Sequence, residues 1–194
     1  MPKIILASKS KVRKKILDEN DILNEVKPSN VDEDIVKLSL LKEKATPEII
    51  SKNLAELKAN KVSQSFSDNL VLGADSVIDL EGELISKPSN RNEALEILKK
   101  LNGKKHYLVS SVCISKNGSM IWNYTDKAVL TMKKMKDDEL IKYLKKIPDE
   151  VLYAYNVYQI EGEGRKLFSS IDGNENTIMG LPVEKIKKYL DNYK

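Results

Sequence analysis

The chain has 194 residues, enough for one domain that buries a large core without disulfide or metal support. Hydrophobic residues make up 41% and charged residues 32%, and the formal net charge is only +4. This balance predicts a soluble globular protein and argues against a DNA-wrapping protein, which would show a concentrated basic surface. With one cysteine, Cys113, and one histidine, His106, the chain excludes an internal disulfide framework and a Cys/His zinc cluster.

Targeting signals are not apparent in the sequence. No apolar run approaches the roughly 18 residues of a membrane span. The apolar segment at residues 4–7 is too short for a signal peptide. We therefore expect a cytoplasmic protein, organised as a single domain over residues 1–194, with neither a membrane nor a nucleic acid as partner.

The first half of the chain alternates short apolar segments with helical patterns. Residues 4–7 predict a buried strand, and Ser10 is expected to cap the helix that follows. Residues 24–47 are predicted to be irregular and polar. A helix is predicted over residues 47–65, and the strongest strand pattern covers residues 70–80.

The second half continues this alternation and adds antiparallel hairpins, which predicts an α/β fold with a mixed sheet. In chain order, the predicted elements are a turn at 81–82, a strand at 84–85, a helix over 90–103, paired strands at 107–115 and 119–132, a helix over 137–146, a strand at 151–160 and a helix over 181–193.

The segment 8–15 is the first candidate for chemistry. It places the hydroxyls of Ser8 and Ser10 and several basic residues, including Arg13, between a strand and a helix N-terminus. Backbone N–H groups and the positive end of the helix dipole favour anions at such a position. The pattern predicts either a phosphate site or an ordinary capped surface helix with a solvated basic face.

Two acidic positions are candidates for a metal ligand or a general base. Asp75 interrupts an apolar strand, where an unpaired buried carboxylate would be unfavourable. It lies either in a cleft or at an ordinary strand-end turn. Glu33 belongs to an acidic run, residues 32–34, that is either a Mg²⁺ or base cluster or a solvated loop. Because the chain lacks a Cys/His cluster, any metal is expected to be bound by oxygen, as Mg²⁺ and Mn²⁺ are.

Two lysines are candidates for functional cations. Lys58 falls on the apolar stripe of the helix at 47–65, where a lysine either extends its head to water or points it into a cleft. Lys87 precedes Pro88, which holds the residue before it in an extended conformation. On local sequence alone, Lys87 is also compatible with an ordinary surface lysine.

The remaining features are weaker signals. Residues 158–164 contain two glycines that allow close approach of a ligand or another backbone, but no dinucleotide fingerprint. His106 and Cys113 are interpreted as structural residues.

Taken in order, these segments resemble the Maf family of nucleoside triphosphate pyrophosphatases, also called septum formation inhibitor Maf-like proteins, and the chain looks like a divergent member. The resemblance extends from about residue 4 to residue 190 and is carried by eight short motifs. They are the opening strand with Ser8-Lys9-Ser10, the acidic Val31-Asp32-Glu33, Leu54-Ala55 through Lys58-Ala59, Gly73-Ala74-Asp75-Ser76-Val77, Ser86-Lys87-Pro88, Leu101-Asn102-Gly103 with His106, Tyr158 through Gly164, and Met179-Gly180-Leu181-Pro182.

The resemblance implies a two-lobed, mixed-sheet α/β fold with a central cleft, as in inosine triphosphate pyrophosphatases. It implies hydrolysis of a (deoxy)nucleoside triphosphate to the monophosphate and pyrophosphate with Mg²⁺ or Mn²⁺. The implied role is the removal of non-canonical nucleotides. A homodimer is also among the expectations. Position by position, it implies catalytic roles for Asp75, Glu33 and Lys87, substrate or phosphate binding by Ser8, Ser10, Arg13, Lys58 and Glu161, and metal binding by Asp75 and Glu33.

This sequence departs from the family pattern at two places. Lys11-Val12 stands where the family has Pro-Arg, and Glu161 stands where it has glutamine. These changes leave the preferred nucleotide open. They also support an alternative hypothesis, a non-catalytic nucleotide-binding regulator of cell division. A nucleic-acid-binding module resting on the basic segment 9–15 is the least favoured hypothesis.

Overall fold

A computed structural model describes residues 1–193 and shows one mixed sheet with helices packed on it. The sheet has seven strands in the order β2-β1-β3-β5-β6-β7, with β4 paired to β3. The strands are β1 (Ile4–Leu6), β2 (Asn24–Val26), β3 (Leu70–Leu80), β4 (Glu83–Ile85), β5 (Lys105–Lys116), β6 (Ser119–Met132) and β7 (Phe168–Asp172).

Most of the helices begin at a residue whose side chain can cap the first turn. Ser10 accepts a hydrogen bond from the backbone N–H of Arg13, and Thr46 and Asn90 cap their helices in the same way. The helices are α1 (Lys11–Glu19), α2 (Glu33–Lys42), α3 (Pro47–Ser63), α4 (Arg91–Leu101), α5 (Asp137–Lys145), α6 (Asp149–Tyr155), α7 (Glu175–Ile178) and α8 (Val183–Asn192), with a 3-10 helix at Glu163–Leu167.

The centre of the sheet positions the cleft. Strand β1 pairs in parallel with β3 through Leu6 opposite Leu72, and then ends. Strand β3 continues beyond that point along β5, so Asp75 lies just past the carboxyl end of β1. Ligands of open α/β sheets bind in crevices at such strand ends.

Gly73 allows helix α3 to lie directly against β3. A Cβ atom at Gly73 would stand 2.1 Å from the carbonyl oxygen of Ala55 and 2.7 Å from the backbone nitrogen of Ala59. Both atoms belong to the α3 backbone and cannot move independently of the helix. The absent side chain therefore sets the helix–strand distance and brings Lys58 next to Asp75.

The hydrophobic core is divided into two large clusters that share the sheet. One contains Leu98 of α4 and Leu140 of α5, together with residues of β5 and β6. The other contains Leu17 of α1 and Ile186 of α8, together with residues of β1 and β3. The predicted two-lobed, mixed-sheet α/β fold is confirmed.

Two predictions about local structure are wrong. Residues 24–47 are not irregular, because they contain β2 and α2. Asp32 caps α2 by accepting the N–H of Ile35 at 3.1 Å. The helix buries none of its residues, and Ile35 is 66% exposed, so its sequence lacks a core-facing apolar stripe that would reveal it.

The predicted strand at 151–160 is also wrong, because helix α6 covers most of its first half. The valine and tyrosine residues there favour a strand by composition. Pro148 nevertheless precedes the helix, and two acidic residues occupy its first turn, where they complement the helix dipole. Asn156 follows the helix with a positive φ of 70°.

Candidate active site

A cleft of about 690 Å³ opens between the two lobes. This volume lies in the range of small-molecule sites. The described residues contain no helix with the length and apolar character needed to span a membrane. All eight predicted site residues line the cleft: Ser8, Ser10, Arg13, Glu33, Lys58, Asp75, Lys87 and Glu161.

The most buried part of the cleft is an ion-paired triad of Lys58, Asp75 and Glu33. The Lys58 Nζ atom lies 2.8 Å from Asp75 Oδ1 and 2.8 Å from Glu33 Oε1. Asp75 and Lys58 are almost fully buried, whereas the side chain of Glu33 is 37% exposed. The ammonium of Lys58 therefore directs its two short contacts to carboxylates, which offset the desolvation of its charge.

One oxygen of each carboxylate lies outside the short contacts with Lys58. Asp75 Oδ2 is buried and has no hydrogen-bond partner among the described residues. On Glu33, Lys37 Nζ lies 3.7 Å from Oε2. Burial alone would raise the pKa of Glu33, but the ammonium groups of Lys58, Lys37 and Lys87 together outweigh this effect, so the pKa is lowered and the carboxylate is ionised at neutral pH.

The loop after β1 forms the wall beside the triad. Ser8 Oγ accepts a hydrogen bond from the backbone N–H of Ser10 at 3.2 Å, and Ser10 caps α1. The N-terminus of a nine-residue helix thus faces the cleft with two hydroxyls, an arrangement that suits an anion.

Lys87 adds a cation at the mouth of the cleft. It is exposed to solvent, yet crowding by the cleft walls lowers the pKa of its ammonium by desolvation. The carboxylate of Glu33 opposes this shift and the guanidinium of Arg13 adds to it. An incoming anion would relieve the incomplete solvation of this ammonium.

Arg13 is held by four hydrogen bonds within the protein. Its Nε donates to the carbonyl of Gly180 at 2.9 Å, and Nη1 donates to Ser8 Oγ at 3.2 Å and to the Ala74 carbonyl at 3.0 Å. Its Nη2 donates to Ser76 Oγ at 3.2 Å. Desolvation by burial lowers the pKa of Arg13, and the nearby carboxylates of Asp75 and Glu33 oppose the shift.

Apolar side chains also line the cleft, most of them from the core cluster that contains Leu98 and Leu140. They include Val77, Ile78, Leu84, Ile85, Leu108, Ile160 and Met179. Tyr158 also lines the cleft, and its hydroxyl is 2.9 Å from Nε2 of His106. Glu161 stands at the edge, where its Oε1 accepts a hydrogen bond from Gln159 at 3.3 Å. His106 is fully buried, and burial lowers its pKa to about 4. The ring is therefore neutral at neutral pH, which agrees with its interpretation as a structural residue.

Sequence reasoning missed the residues that support the triad and Arg13. Ser76 and Ser110 pair at 2.8 Å, and Ser51 donates to the backbone carbonyl of Asp75 at 3.1 Å. Gly180 meets Arg13 across 167 residues of sequence. Ser76, a serine beside Asp75 in an apolar strand, is a detectable signal, whereas the contacts of Ser51, Ser110 and Gly180 depend on the tertiary fold.

The donor set fits a divalent cation that is completed by its substrate. Among residues 1–193 there is no group of three or more His, Cys, Asp or Glu side chains that could hold a metal by itself. Mg²⁺ is commonly bound by one or two carboxylates together with substrate phosphates. The buried Asp75 Oδ2, lacking a hydrogen-bond partner, and the nearby Glu33 carboxylate supply the oxygen ligands that such an ion needs.

Several known proteins are similar to this chain over most of its length. The family described as Maf-like protein matches residues 3–193. The chain belongs to the Maf family. A protein of Pelagibacter ubique named nucleoside triphosphate pyrophosphatase is 75% identical over 96% of each chain. A Rhizobium etli protein named 7-methyl-GTP pyrophosphatase is 34% identical and covers 94% of this chain and 92% of its own.

A solved structure also shares the fold. The structure of a HAM1 protein from Coxiella burnetii covers 100% of both chains with a TM-score of 0.52 and 11% sequence identity. At this identity the likeness concerns the fold alone. It agrees with the two-lobed, mixed-sheet architecture of this Maf-family chain.

Proposed function

We propose that this chain is a nucleoside triphosphate pyrophosphatase, which hydrolyses its substrate to the nucleoside monophosphate and pyrophosphate. The observation that carries the proposal is the convergence on one cleft of eight residues from six separate segments of the chain. Support comes from Maf-family relatives that bear this activity in their names, one of them 75% identical.

The lining of the cleft suits the two parts of a nucleotide. The triphosphate binds at the Ser8–Ser10 loop and the N-terminus of α1, with Lys87 neutralising part of its charge. The nucleoside packs against the apolar lining residues beside Tyr158. This orientation brings the α-phosphorus toward the triad of Lys58, Asp75 and Glu33.

Water then attacks the α-phosphorus, and the bond from that phosphorus to the oxygen bridging the α- and β-phosphates breaks. The triad orients the water, and one of its two carboxylates receives the proton, while pyrophosphate leaves with the bridging oxygen. Lys58 holds both carboxylates in place, through Oδ1 of Asp75 and Oε1 of Glu33. Lys87 stabilises the charge that develops on the phosphate oxygens and the leaving group.

Asp75 and Glu33 are the residues that would hold Mg²⁺ or Mn²⁺ together with phosphate oxygens. When bound, such an ion lowers the pKa of a coordinated water and neutralises phosphate charge. Because the proposed site has only two protein carboxylates, the ion is expected to bind tightly only with substrate present.

The test is pyrophosphate release from a panel of canonical and modified nucleoside triphosphates, with Mg²⁺ or Mn²⁺ and with a chelator. Asp75→Asn and Lys87→Met should each lower kcat/KM by at least about a hundredfold, the scale of one electrostatic contact in a transition state. Matched controls are Asp79→Asn on the same strand and Lys105→Met, neither of which lines the cleft.

The outcomes separate the competing hypotheses. No pyrophosphate from any nucleotide would refute the proposal. Nucleotide binding without turnover would favour the non-catalytic regulator. A variant at Asp75 or Lys87 as active as wild type would reject these catalytic residues while leaving the activity in place. The cytoplasmic location, the homodimer and the absence of a nucleic-acid partner remain predictions.

A further inference from the structure

Arg13 directs its guanidinium into the protein. A guanidinium has five N–H donors. Four of them bond to Ser8, Ala74, Ser76 and Gly180 at 2.9–3.2 Å. An arginine that clamps phosphate uses a pair of parallel N–H groups on the anion. At most one N–H of Arg13 is left for such a contact.

The hydrogen bonds beyond Arg13 run in one direction. Ser110 donates its only hydroxyl hydrogen to the carbonyl of Thr177 at 2.7 Å. In the 2.8 Å pair between Ser76 and Ser110, Ser76 must therefore be the donor. This leaves Ser76 Oγ as an acceptor for Arg13, which agrees with the observed contact. Arg13 is thereby tied to β3, β5 and the segment before α8.

The same reasoning fixes the hydroxyl of Ser8. A serine oxygen has two lone pairs and one hydrogen. Ser8 Oγ accepts from the backbone N–H of Ser10 at 3.2 Å and from Arg13 Nη1 at 3.2 Å, which uses both lone pairs. Ser8 donates to no acceptor among the described residues, and it lines the cleft. Its hydrogen is thus available to an acceptor in the cleft, and phosphate oxygens are acceptors only.

We infer that Arg13 is a positioning residue that acts through Ser8, setting this hydroxyl as a donor to a phosphate oxygen, instead of contacting the phosphate itself. This inference rests on the proposed function for the identity of the ligand, and it reassigns the phosphate-binding role predicted for Arg13. Lysine cannot replace Arg13 in this role, because one ammonium cannot span four acceptors in a planar fork.

Gly180 supplies a matching observation. It has a φ of +101°, and a Cβ there would stand 3.3 Å from Arg13 Nε and 3.1 Å from Ser76 Oγ. Both the backbone conformation and the space favour glycine. The backbone at Gly180 therefore packs closely against the guanidinium of Arg13, as expected if this side chain has a fixed position.

The test is a double-mutant cycle on the affinity of the full-length protein for inorganic tripolyphosphate, measured by calorimetry. Ser8→Ala should weaken binding about ten- to a hundredfold, the scale of one hydrogen bond to a charged group. Arg13→Gln should weaken it at least as much. The double variant should be no weaker than Arg13→Gln alone, because both changes remove the same contact.

The control cycle pairs Ser8→Ala with Lys87→Met. Because these two residues act separately, the fold-losses in tripolyphosphate affinity of the single variants should multiply in the double variant. Arg13→Lys, which preserves the charge, should bind as weakly as Arg13→Gln. Fold-losses of Ser8→Ala and Arg13→Gln that multiply would overturn the inference, as would recovery of affinity by Arg13→Lys or no tripolyphosphate binding by wild type.

Folding and turnover are controlled separately. Circular dichroism and the thermal midpoint establish that each variant is folded, and if Arg13→Gln is not folded, the cycle is run with Arg13→Lys. The binding assay does not depend on catalysis. If the double variant binds tripolyphosphate no more weakly than Arg13→Gln but the wild type releases no pyrophosphate, the proposed function is refuted and the inference stands. If the wild type releases pyrophosphate but the two fold-losses in affinity multiply, the inference is overturned and the proposed function stands.

Discussion

Replacing Lys58 with methionine should destabilise the protein, because it leaves two carboxylates without their shared cation. Removing one partner of a buried ion pair costs about 3–5 kcal/mol. The side chain of Glu33 is 37% exposed and can be rehydrated, whereas that of Asp75 is only 6% exposed. We therefore expect a loss near the lower limit, about 3 kcal/mol. For a domain of this length, the loss lowers the melting temperature by about 6–12 °C.

A second substitution separates this stability effect from catalysis. In the double variant Lys58→Met/Asp75→Asn the buried charge is gone, so about 2 kcal/mol of the lost stability should return. Pyrophosphate release should stay at least about a hundredfold below wild type, because the neutral Asn side chain replaces a carboxylate of the proposed catalytic and metal-binding triad. Urea unfolding at pH 7 gives the stabilities. A Lys58→Met variant as stable as wild type, or a double variant less stable than Lys58→Met, would contradict this prediction.

Three further predictions concern the scaffold. Gly73→Ala should lose at least about 2 kcal/mol of unfolding free energy and most activity, because its Cβ would meet the Ala55 carbonyl at 2.1 Å. A variant as stable in urea as wild type would contradict this. Burial lowers the pKa of His106 to about 4, so stability should fall by up to about 3 kcal/mol as pH drops from 6.5 toward 4. In His106→Gln, the stability measured by urea unfolding should fall less steeply as the pH drops. An unchanged dependence of stability on pH would be evidence against this role of His106. Asp32→Ala should destabilise α2 by about 1 kcal/mol and raise the Mg²⁺ concentration needed for half-maximal pyrophosphate release. The control Asp34→Ala should change the stability and the Mg²⁺ requirement less. Equal effects of the two substitutions would reject the capping role of Asp32.

The local elements that could be predicted are those with a clear hydrophobic period. Strand β3 was predicted with the same bounds as observed, residues 70–80, and α3 differs by two residues at its end. Helix α2 was missed because it buries nothing. Helix α6 was misassigned because β-branched and aromatic residues conceal a helix whose start is set by Pro148 and its acidic first turn.

The site was predictable in its members but not in its connections. Each motif was ambiguous alone, and the resemblance in order along the chain brought them together. The sequence could not reveal that Lys58 pairs with both Glu33 and Asp75, since these contacts depend on how closely α3 approaches β3. It also could not reveal that Arg13 bonds to Gly180, because 167 residues separate the two.

The most direct test of the account is the position of bond cleavage. Hydrolysis of a nucleoside triphosphate substrate by the wild-type protein in ¹⁸O-labelled water, followed by mass spectrometry of the products, identifies the phosphorus that water attacks. We predict one ¹⁸O atom in the nucleoside monophosphate and none in the pyrophosphate. Label in the pyrophosphate, release of orthophosphate in its place, or no product from any nucleotide would contradict attack at the α-phosphorus beside Asp75.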